Sequence, residues 1–167
     1  MDSRLKVKIM RNAKVPTYSF TDYFKGFETI DAVRRLFGEK TEEVLRNLKV
    51  EFNSGRGYMG VNDQDGHLRV KANYLNTGDL TDIYLDVIHE LVHVKQFMDG
   101  KKLFDRTFRY IDRPTEIEAY RYAVEEARCL GMSDEEILDY LRTDRRSNED
   151  LFRLASALQV RVEKHSS

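Results

Sequence analysis

The segment from Leu80 to Met98 constrains the fold more than any other part of this 167-residue chain. Its apolar residues recur every three or four positions, a spacing that predicts one long amphipathic helix ending before Gly100. A helix with such a broad apolar face has to be covered on several sides, so we expect it at the centre of the fold, packed against a sheet and other helices. The residues on that face are Ile83, Val87, Ile88, Leu91, Val92 and Phe97.

Four segments before this helix have the pattern of short strands. Residues 5–10, 49–53, 58–62 and 67–74 fit it, and an Asp-Gly pair at residues 65–66 favours a tight turn between the last two. We expect the last three segments to form a small antiparallel or mixed sheet.

Other segments on both sides of the sheet have the amphipathic pattern and the terminal residues of helices. Gly38 ends the first, Pro114 stands at the start of another, and Ser133 opens a third with a capping box. Because the order is helices, sheet and then helices, the sequence predicts an α+β fold rather than alternating βαβ units. Besides the central helix, the predicted helices are 20–37, 42–48, 115–130, 134–141 and 148–162.

Composition excludes several classes of protein. With 28 basic and 29 acidic residues the net charge is −1, which argues against binding to nucleic acid by bulk electrostatic attraction. No apolar run is long enough to cross a membrane, so we expect no membrane partner. Cys129 is the only cysteine, which indicates a reducing compartment, and the first residues lack the apolar core of a signal peptide. We therefore expect a cytoplasmic protein.

The central helix carries the sequence HELVH at residues 89–93. Residues four apart on a helix differ by about 40° in direction, so His89 and His93 project from one face and can bind one metal ion. Glu90 lies within about 60° of His93, near enough to reach a water on that ion without binding the ion itself. Zinc lowers the pKa of such a water from about 15.7 to about 7 and polarises a carbonyl, and the glutamate can accept and pass on the proton. The motif therefore predicts a zinc centre for hydrolysis.

A zinc centre of this kind needs a third protein ligand, and three acidic residues compete for that place. Asp99 lies six residues after His93, but a continuing helix directs it about 120° away. Glu116 and Glu118 lie on the helix after Pro114 and point about 160° apart, so at most one of them can face the metal. Helix geometry alone leaves both glutamates open.

The HELVH helix and the later glutamate helix together resemble the gluzincin metallopeptidases, over about residues 57–125. In that family the third ligand is a glutamate in a pattern similar to Glu-x-x-Ala-Asp or Glu-x-x-Ala-Asn. The resemblance implies Glu116 as the ligand and places Tyr120 where the family has Asp or Asn, either to support a histidine or to stabilise an oxyanion. It also implies a zincin-like sheet packed on the central helix. The strand 67–74 would then form an exposed edge that pairs with a peptide substrate, the alternative being an ordinary hairpin strand.

These features predict a single zincin-like domain over residues 1–167, with a metal-binding core at 49–130 and a C-terminal helical cover at 131–167. The expected function is that of a zinc-dependent metallopeptidase, in which a metal-activated water and a glutamate base hydrolyse peptide bonds. The alternative is a zincin-like module that holds metal without turnover and binds a protein partner.

Several other residues are weaker candidates. Asp86, three residues before His89, can orient a histidine or form part of a solvated helix surface. His67 and Tyr110 can assist as electrophilic groups, although a lone histidine in a strand usually has a structural role. A basic cluster before the last helix is expected to be a solvated loop. Its members are Arg142, Arg145 and Arg146.

Overall fold

The computed structural model of the protein describes residues 4–13 and 16–163. The contacts within the chain divide it into two compact units, Met1–Phe104 and Asp105–Ser167. This boundary lies inside the segment 49–130 that the sequence predicts as the metal-binding core, and the single domain stays a prediction.

The first unit contains every strand found in the described residues, together with the HELVH helix. In chain order its elements are β1 (Lys8–Ile9), β2 (Thr17–Ser19), α1 (Phe20–Tyr23), β3 (Phe24–Lys25), α2 (Asp31–Phe37), α3 (Thr41–Asn47), β4 (Lys49–Asn53), β5 (Met59–Val61), β6 (Leu68–Lys71), α4 (Ala72–Thr77) and α5 (Leu80–Met98). Short 3-10 turns lie at Phe27–Thr29 and Gly38–Lys40. Strand β1 keeps only two residues of the predicted strand 5–10.

The main sheet of this unit has the strand order β2-β4-β6-β5. Strands β4 and β6 are parallel, with Val50 opposite Leu68, whereas β2 and β5 each run antiparallel to their one neighbour. Strand β6 is therefore paired along both sides, and the expectation that residues 67–74 form an exposed edge is wrong. The reason is that β6 inserts between β5 and β4, which leaves β5 at the edge. After Lys71 the chain also leaves the sheet and forms α4.

The predicted helix over residues 20–37 is wrong in its first half. The chain there forms α1, the two-residue strand β3 and a 3-10 turn, and α2 begins only at Asp31. Gly26 has a φ of +88°, and a Cβ on it would lie 3.2 Å from the backbone that leads into β1. This conformation, which glycine adopts without steric cost, brings β3 back to pair with β1. The rings of Phe20 and Phe24 stack inside the turn with centroids 5.0 Å apart.

Helix α5 forms the core of the first unit. Asp79 caps it, because its side chain accepts a hydrogen bond of 3.0 Å from the backbone N–H of Asp82. The helix packs against α2 and β5, and Tyr84 contacts Phe27 with ring centroids 5.6 Å apart. The predicted helix 80–98 is confirmed at both ends. Its buried apolar side chains include Ile83, Leu85, Val87, Ile88, Leu91 and Val92.

The turn between β5 and β6 lies directly against α5. Gly66 in this turn has a φ of +77°, and a Cβ there would lie 2.4 Å from a ring carbon of Phe97. Phe97 is one helical turn beyond His93. Only glycine fits both this backbone conformation and this space, so the Asp-Gly turn fixes how closely the sheet approaches the helix.

The second unit is helical in its described part. The capping box predicted at its second helix is present, because Ser133 and Glu136 each accept a hydrogen bond from the other's backbone N–H. The last helix ends at Ala157 rather than near residue 162, and Gln159 beyond it has a φ of +57°. The elements are a 3-10 turn at Tyr110–Asp112, α6 (Pro114–Cys129), α7 (Asp134–Leu141) and α8 (Asn148–Ala157).

The described helices and sheets confirm the predicted α+β class. Within residues 4–13 and 16–163, none of the helices combines the length and the apolar character that a membrane span requires. Helix α5 has 19 residues, but charged side chains recur along it. These are Asp82, Asp86, Glu90 and Lys95.

Candidate metal centre

The two histidines of the HELVH sequence face each other on α5. The Nε2 atoms of His89 and His93 lie 3.1 Å apart, and the ring planes meet at 78°. Two nitrogens that share a tetrahedral zinc ion at about 2.05 Å each would lie about 3.3 Å apart. The one-turn spacing on the helix thus brings both nitrogens to within a few tenths of an ångström of the separation that a shared ion requires.

Gln96 holds the second ring nitrogen of His93. Its Oε1 lies 2.7 Å from Nδ1 of His93, and the Gln96 side chain is fully buried. An amide oxygen only accepts hydrogen bonds, so Nδ1 carries the hydrogen and Nε2 presents its lone pair toward His89. Gln96 therefore selects the tautomer that a metal ligand needs. Sequence reasoning missed this role, although the three-residue spacing between His93 and Gln96 on a helix would have indicated a contact.

Glu90 lies beside the histidine pair on the same helix. Its Oε1 is 4.0 Å from Nε2 of His89, and its side chain is buried. At that separation the carboxylate is a neighbour of the histidine nitrogens. Glu90 is not among the three side chains that could hold an ion together, so it stays a candidate for the proton acceptor rather than for a ligand.

The described residues contain one group of three or more metal-binding side chains that converge. It consists of His89, His93 and Glu116, which offer ligand atoms within 4.8 Å of one another. Their exposed fractions are only 4%, 5% and 3%. Two imidazole nitrogens and a carboxylate oxygen are chemically suited to a divalent ion such as zinc. This buried group could hold a metal ion.

The other two candidates for the third ligand lie outside this group. Asp99 follows the end of α5, and its Oδ1 forms an exposed ion pair of 2.8 Å with Nζ of Lys95. Glu118 is half-buried on α6, two residues after Glu116. Because residues two apart on a helix point in widely different directions, only one of these glutamates can face the histidines.

Tyr120 lies one turn after Glu116 on α6 and is buried. Its hydroxyl oxygen accepts a hydrogen bond of 3.0 Å from the Arg146 guanidinium and lies 3.3 Å from the hydroxyl of Tyr110. Burial raises the pKa of Tyr120, and the opposing effect of the Arg146 charge only partly offsets it. The hydroxyl therefore stays protonated and can donate a hydrogen bond.

Arg146 departs from the expected solvated loop. Its guanidinium lies over the ring of Tyr120, with Cζ 5.4 Å from the ring centroid, and it also donates to the carbonyl oxygen of Leu141. By contrast, Arg142 donates to the amide oxygen of Asn148 at 3.3 Å. The sequence gives no signal for this difference, because a contact between a loop arginine and a tyrosine 26 residues earlier depends on how α6 and α7 pack.

The remaining weaker candidates have other partners. Asp86 accepts a hydrogen bond from the hydroxyl of Tyr74, whose pKa is raised by burial and by the Asp86 charge. His67 is bound by two carboxylates, with Nδ1 at 2.5 Å from Asp65 and Nε2 at 2.8 Å from Glu51. Both of its ring nitrogens are thus engaged by side chains of the sheet and its turn.

The geometry of the buried group is the basis for any assignment of function. Its two imidazoles and one carboxylate lie together, with Glu90 beside the His89 nitrogen. Comparisons of the chain with models of known protein families, with curated proteins and with solved structures find no match.

Proposed function

We propose that the chain is a zinc-dependent metallopeptidase that hydrolyses peptide bonds in a peptide or protein substrate. The observation that carries this proposal is the buried group of His89, His93 and Glu116, whose ligand atoms lie within 4.8 Å of one another. Catalytic zinc centres use such a set of three protein ligands and leave the fourth position to water or substrate. The resemblance of the HELVH sequence to gluzincins supports the same reaction.

The proposed reaction assigns a separate role to Glu90. A zinc ion in the group would supply a water of lowered pKa and would polarise the substrate carbonyl. Glu90 accepts a proton from the attacking water and delivers it to the departing nitrogen. A carbon–oxygen bond forms and the carbon–nitrogen bond breaks, so the products are a carboxylate and an amine. The distance of 4.0 Å between Glu90 Oε1 and His89 Nε2 supports this role.

A peptide substrate needs an open strand edge if it is to bind in extended form. Strand β6 is paired on both sides, so it has no such edge. We place the peptide along β5, which is an edge strand of the main sheet and packs against α5. This placement keeps the substrate beside the helix that carries the histidines.

The low exposure of the ligand group favours one second candidate. Side chains of His89, His93 and Glu116 are each at most 5% exposed, which suits a metal held for structure or regulation without turnover. In that case the chain is a metal-binding module that acts through a protein partner. Both candidates require the metal, and only the peptidase requires Glu90 as a base.

Metal analysis of paired glutamate variants tests the ligand group. After zinc loading and dialysis, the wild-type protein should retain about one zinc ion per chain, and Glu116→Gln should retain much less. Glu118→Gln is the matched control, because it makes the same chemical change two residues away on α6. Equal zinc in Glu116→Gln and wild type would overturn the assignment of the third ligand.

Glu90→Gln separates the peptidase from the metal-binding module. The amide is nearly isosteric with the carboxylate but cannot accept the proton, so zinc should be retained and cleavage lost. A library of fluorescence-quenched peptides measures the cleavage. Zinc retention together with undiminished cleavage in Glu90→Gln would contradict the mechanism. Zinc binding without cleavage in the wild type would favour the module.

A further inference from the structure

Gly60 is the central residue of β5, the strand along which the peptide is placed. It pairs with Arg69 of β6, whereas the next pair along the two strands, Val61 and Leu68, is buried. Because the side chains of a strand alternate between its two faces, Gly60 and Arg69 lie on the exposed face of the sheet. A glycine inside a strand weakens that strand and often marks a place where a ligand or another backbone comes close.

The space beside Gly60 is open. A Cβ built there would meet no heavy atom of the described residues within 4 Å, and Gly60 does not have a positive φ. Gly66 in the following turn needs glycine for both of these reasons, but Gly60 needs it for neither. Room for a bound peptide is a reason for glycine at this position that the fold itself does not supply.

The backbone groups of β5 alternate between β6 and the unpaired edge of the sheet. Asn62 donates its N–H to the carbonyl oxygen of His67 at 2.9 Å, and Tyr58 accepts from the N–H of Lys71 at 2.9 Å. Since backbone groups alternate in direction along a strand, Gly60 also directs its own toward β6. The N–H and C=O groups of the residues on either side of Gly60 then point to the unpaired edge, where an extended peptide can pair with them.

Arg69 is the charged residue next to Gly60 in the same row of the sheet, and Glu51 follows it in that row. Nε of Arg69 lies 3.6 Å from Oε2 of Glu51, and the same oxygen lies 2.8 Å from Nε2 of His67. Within the part of the chain that the structure describes, the Arg69 guanidinium has no hydrogen bond, and its side chain is 50% exposed. A guanidinium carries five N–H donors, so Arg69 can bind a carboxylate of another molecule.

The distance between the strands sets the length of side chain that can reach Arg69. Neighbouring strands lie about 4.8 Å apart, so a peptide paired with β5 lies about 9.6 Å from β6. Because Gly60 has no side chain, an acidic side chain of the peptide can lie across β5 and meet the Arg69 guanidinium. Glutamate extends one methylene further than aspartate, and glutamine has the length of glutamate without its charge.

We infer that Gly60 and Arg69 form a subsite that selects a substrate residue with a long acidic side chain, glutamate, at the position level with Gly60. This inference rests on the proposed peptidase function and on the placement of the peptide along β5. Arg69 supplies the charge that binds the carboxylate, and the missing side chain of Gly60 gives the carboxylate access to it. Both residues determine specificity and take no part in the chemical step.

Peptide binding to the zinc-loaded Glu90→Gln protein tests the subsite without cleavage. Peptides that carry glutamate, glutamine, aspartate or lysine at one position at a time locate the residue level with Gly60, and fluorescence anisotropy measures their Kd. At one position we expect glutamate to bind about 5-fold more tightly than glutamine, with aspartate between them. Arg69→Met should remove this preference, and Arg69→Glu should transfer it to lysine.

Variants of Gly60 test the open space separately from the charge. Gly60→Val should weaken binding of the glutamate peptide about 10-fold and leave a peptide with glycine at the same position nearly unchanged. Valine favours strands and its Cβ has free space here, so the Tm of this variant should be at least that of the wild type. Arg56→Met is the charge control, because it removes an exposed arginine from the loop before β5 and should leave the glutamate preference in place.

The outcomes distinguish the subsite from the peptidase. Peptide binding without a glutamate preference, or a preference that persists in Arg69→Met or Gly60→Val, would overturn the inference and leave the peptidase intact. The expected preference together with no cleavage by the wild type would overturn the peptidase and retain the subsite on a metal-binding module. A wild-type protein that neither binds nor cleaves these peptides would overturn both.

Discussion

His67 and His93 are both engaged by neighbouring side chains, but the neighbours differ in a way that decides what each ring can do. The carboxylates of Asp65 and Glu51 lie at hydrogen-bond distance from the two nitrogens of His67. His93 instead gives one nitrogen to the amide of Gln96 and turns the other toward His89. A ring with a carboxylate against each nitrogen has neither nitrogen directed at the other histidines. A ring with one neutral acceptor keeps a lone pair for a metal.

The two histidines also differ in their surroundings. His67 lies in the sheet of the first unit, where its Asp65 partner is 64% exposed, whereas His93 and Gln96 are buried on α5. Solvent weakens the ion pairs of His67, so they contribute little to stability. Burial strengthens metal binding by an oriented histidine pair, because water does not compete for the ring nitrogens. The comparison therefore predicts a metal role for His93 and a local structural role for His67.

The largest expected effect is the loss of metal from His93→Ala. Removing one of three ligands should reduce retained zinc from about one ion per chain to nearly none, while His67→Ala keeps the wild-type content. A zinc-dependent rise in Tm should disappear in the same variant, since 100-fold excess over Kd stabilises a folded protein by about 2.7 kcal/mol. Metal analysis and thermal unfolding measure both effects. Similar zinc contents in the two variants would remove the distinction between the histidines.

Gln96→Leu should have the next largest effect, about 10- to 100-fold weaker zinc binding. Leucine fills similar space but leaves the N–H of His93 Nδ1 without its acceptor, so the ring loses the contact that fixes its tautomer. Competition with a chromogenic chelator measures the affinity. Gln96→Glu keeps an accepting oxygen and should stay close to wild type. If the leucine variant also binds zinc normally, orientation by Gln96 does not distinguish His93 from His67.

Gly66→Ala tests whether the turn that carries His67 also supports α5. The new Cβ would lie 2.4 Å from the Phe97 ring, and the residue would keep a positive φ. Gly100→Ala is the matched control, since its φ of +75° is nearly the same and its Cβ would meet nothing within 4 Å. We expect Gly100→Ala to lower the free energy of unfolding by about 1–2 kcal/mol. Overpacking adds about 1–3 kcal/mol for Gly66→Ala.

Urea unfolding of the zinc-free proteins measures this difference. Equal destabilisation by the two substitutions would show that the turn adjusts away from Phe97. In that case the turn that carries His67 does not restrict the packing of α5, the helix that carries His93.

The smallest expected effect concerns the two carboxylates around His67. A hydrogen bond to the His67 side chain holds the pKa of Glu51 below its usual value, and the backbone N–H of His67, followed by its side chain, does the same for Asp65. A lowered carboxyl pKa contributes stability above the unfolded pKa, near 4, and that stability is lost as the pH falls through the folded pKa. His67→Gln should therefore flatten the acid part of the stability curve.

The change should stay within about 1 kcal/mol, because the Asp65 side chain is 64% exposed and that of Glu51 is 36% exposed, so solvent screens both interactions. Urea unfolding at several pH values between 3 and 7 measures it, and zinc content should not change. An effect several times larger would mean that the His67 pairs are a major support of the sheet.

Periodicity and capping predicted the parts of the fold that local sequence determines. Helix α5, the capping box at Ser133 and the Asp-Gly turn all lie where the pattern places them. The strand order was not predictable, because alternation says which residues form a strand and nothing about its neighbours. The N-terminal helix over 20–37 failed for a similar reason. The aromatic residues in this segment fit a helix as well as they fit a turn, but packing against Gly26 and β1 favours the turn.

The histidine pair of the candidate ligand group was predictable because it follows helix geometry, whereas Glu116 was chosen over Glu118 only by the resemblance to gluzincins. The spacing of His89 and His93 on one helix and of Glu116 near the start of another defines two rigid pieces, and the structure brings the three side chains together. The side chains that hold His93 and Tyr120 in place were harder to predict from the sequence. Gln96 follows helix spacing, whereas Arg146 comes from a loop whose contact with Tyr120 depends on tertiary packing.

The choice of an amide at position 96 also determines the electrical character of a metal centre at this site. Two neutral imidazoles and the single carboxylate of Glu116 would bring one negative charge to a divalent ion, so the ion and these three side chains would together carry one net positive charge, with the Glu90 carboxylate beside them. A glutamate at position 96 would orient His93 equally well, but its negative charge would cancel the net positive charge. With glutamine there, an ion bound by these side chains would keep that charge and could act as a Lewis acid toward a carbonyl oxygen.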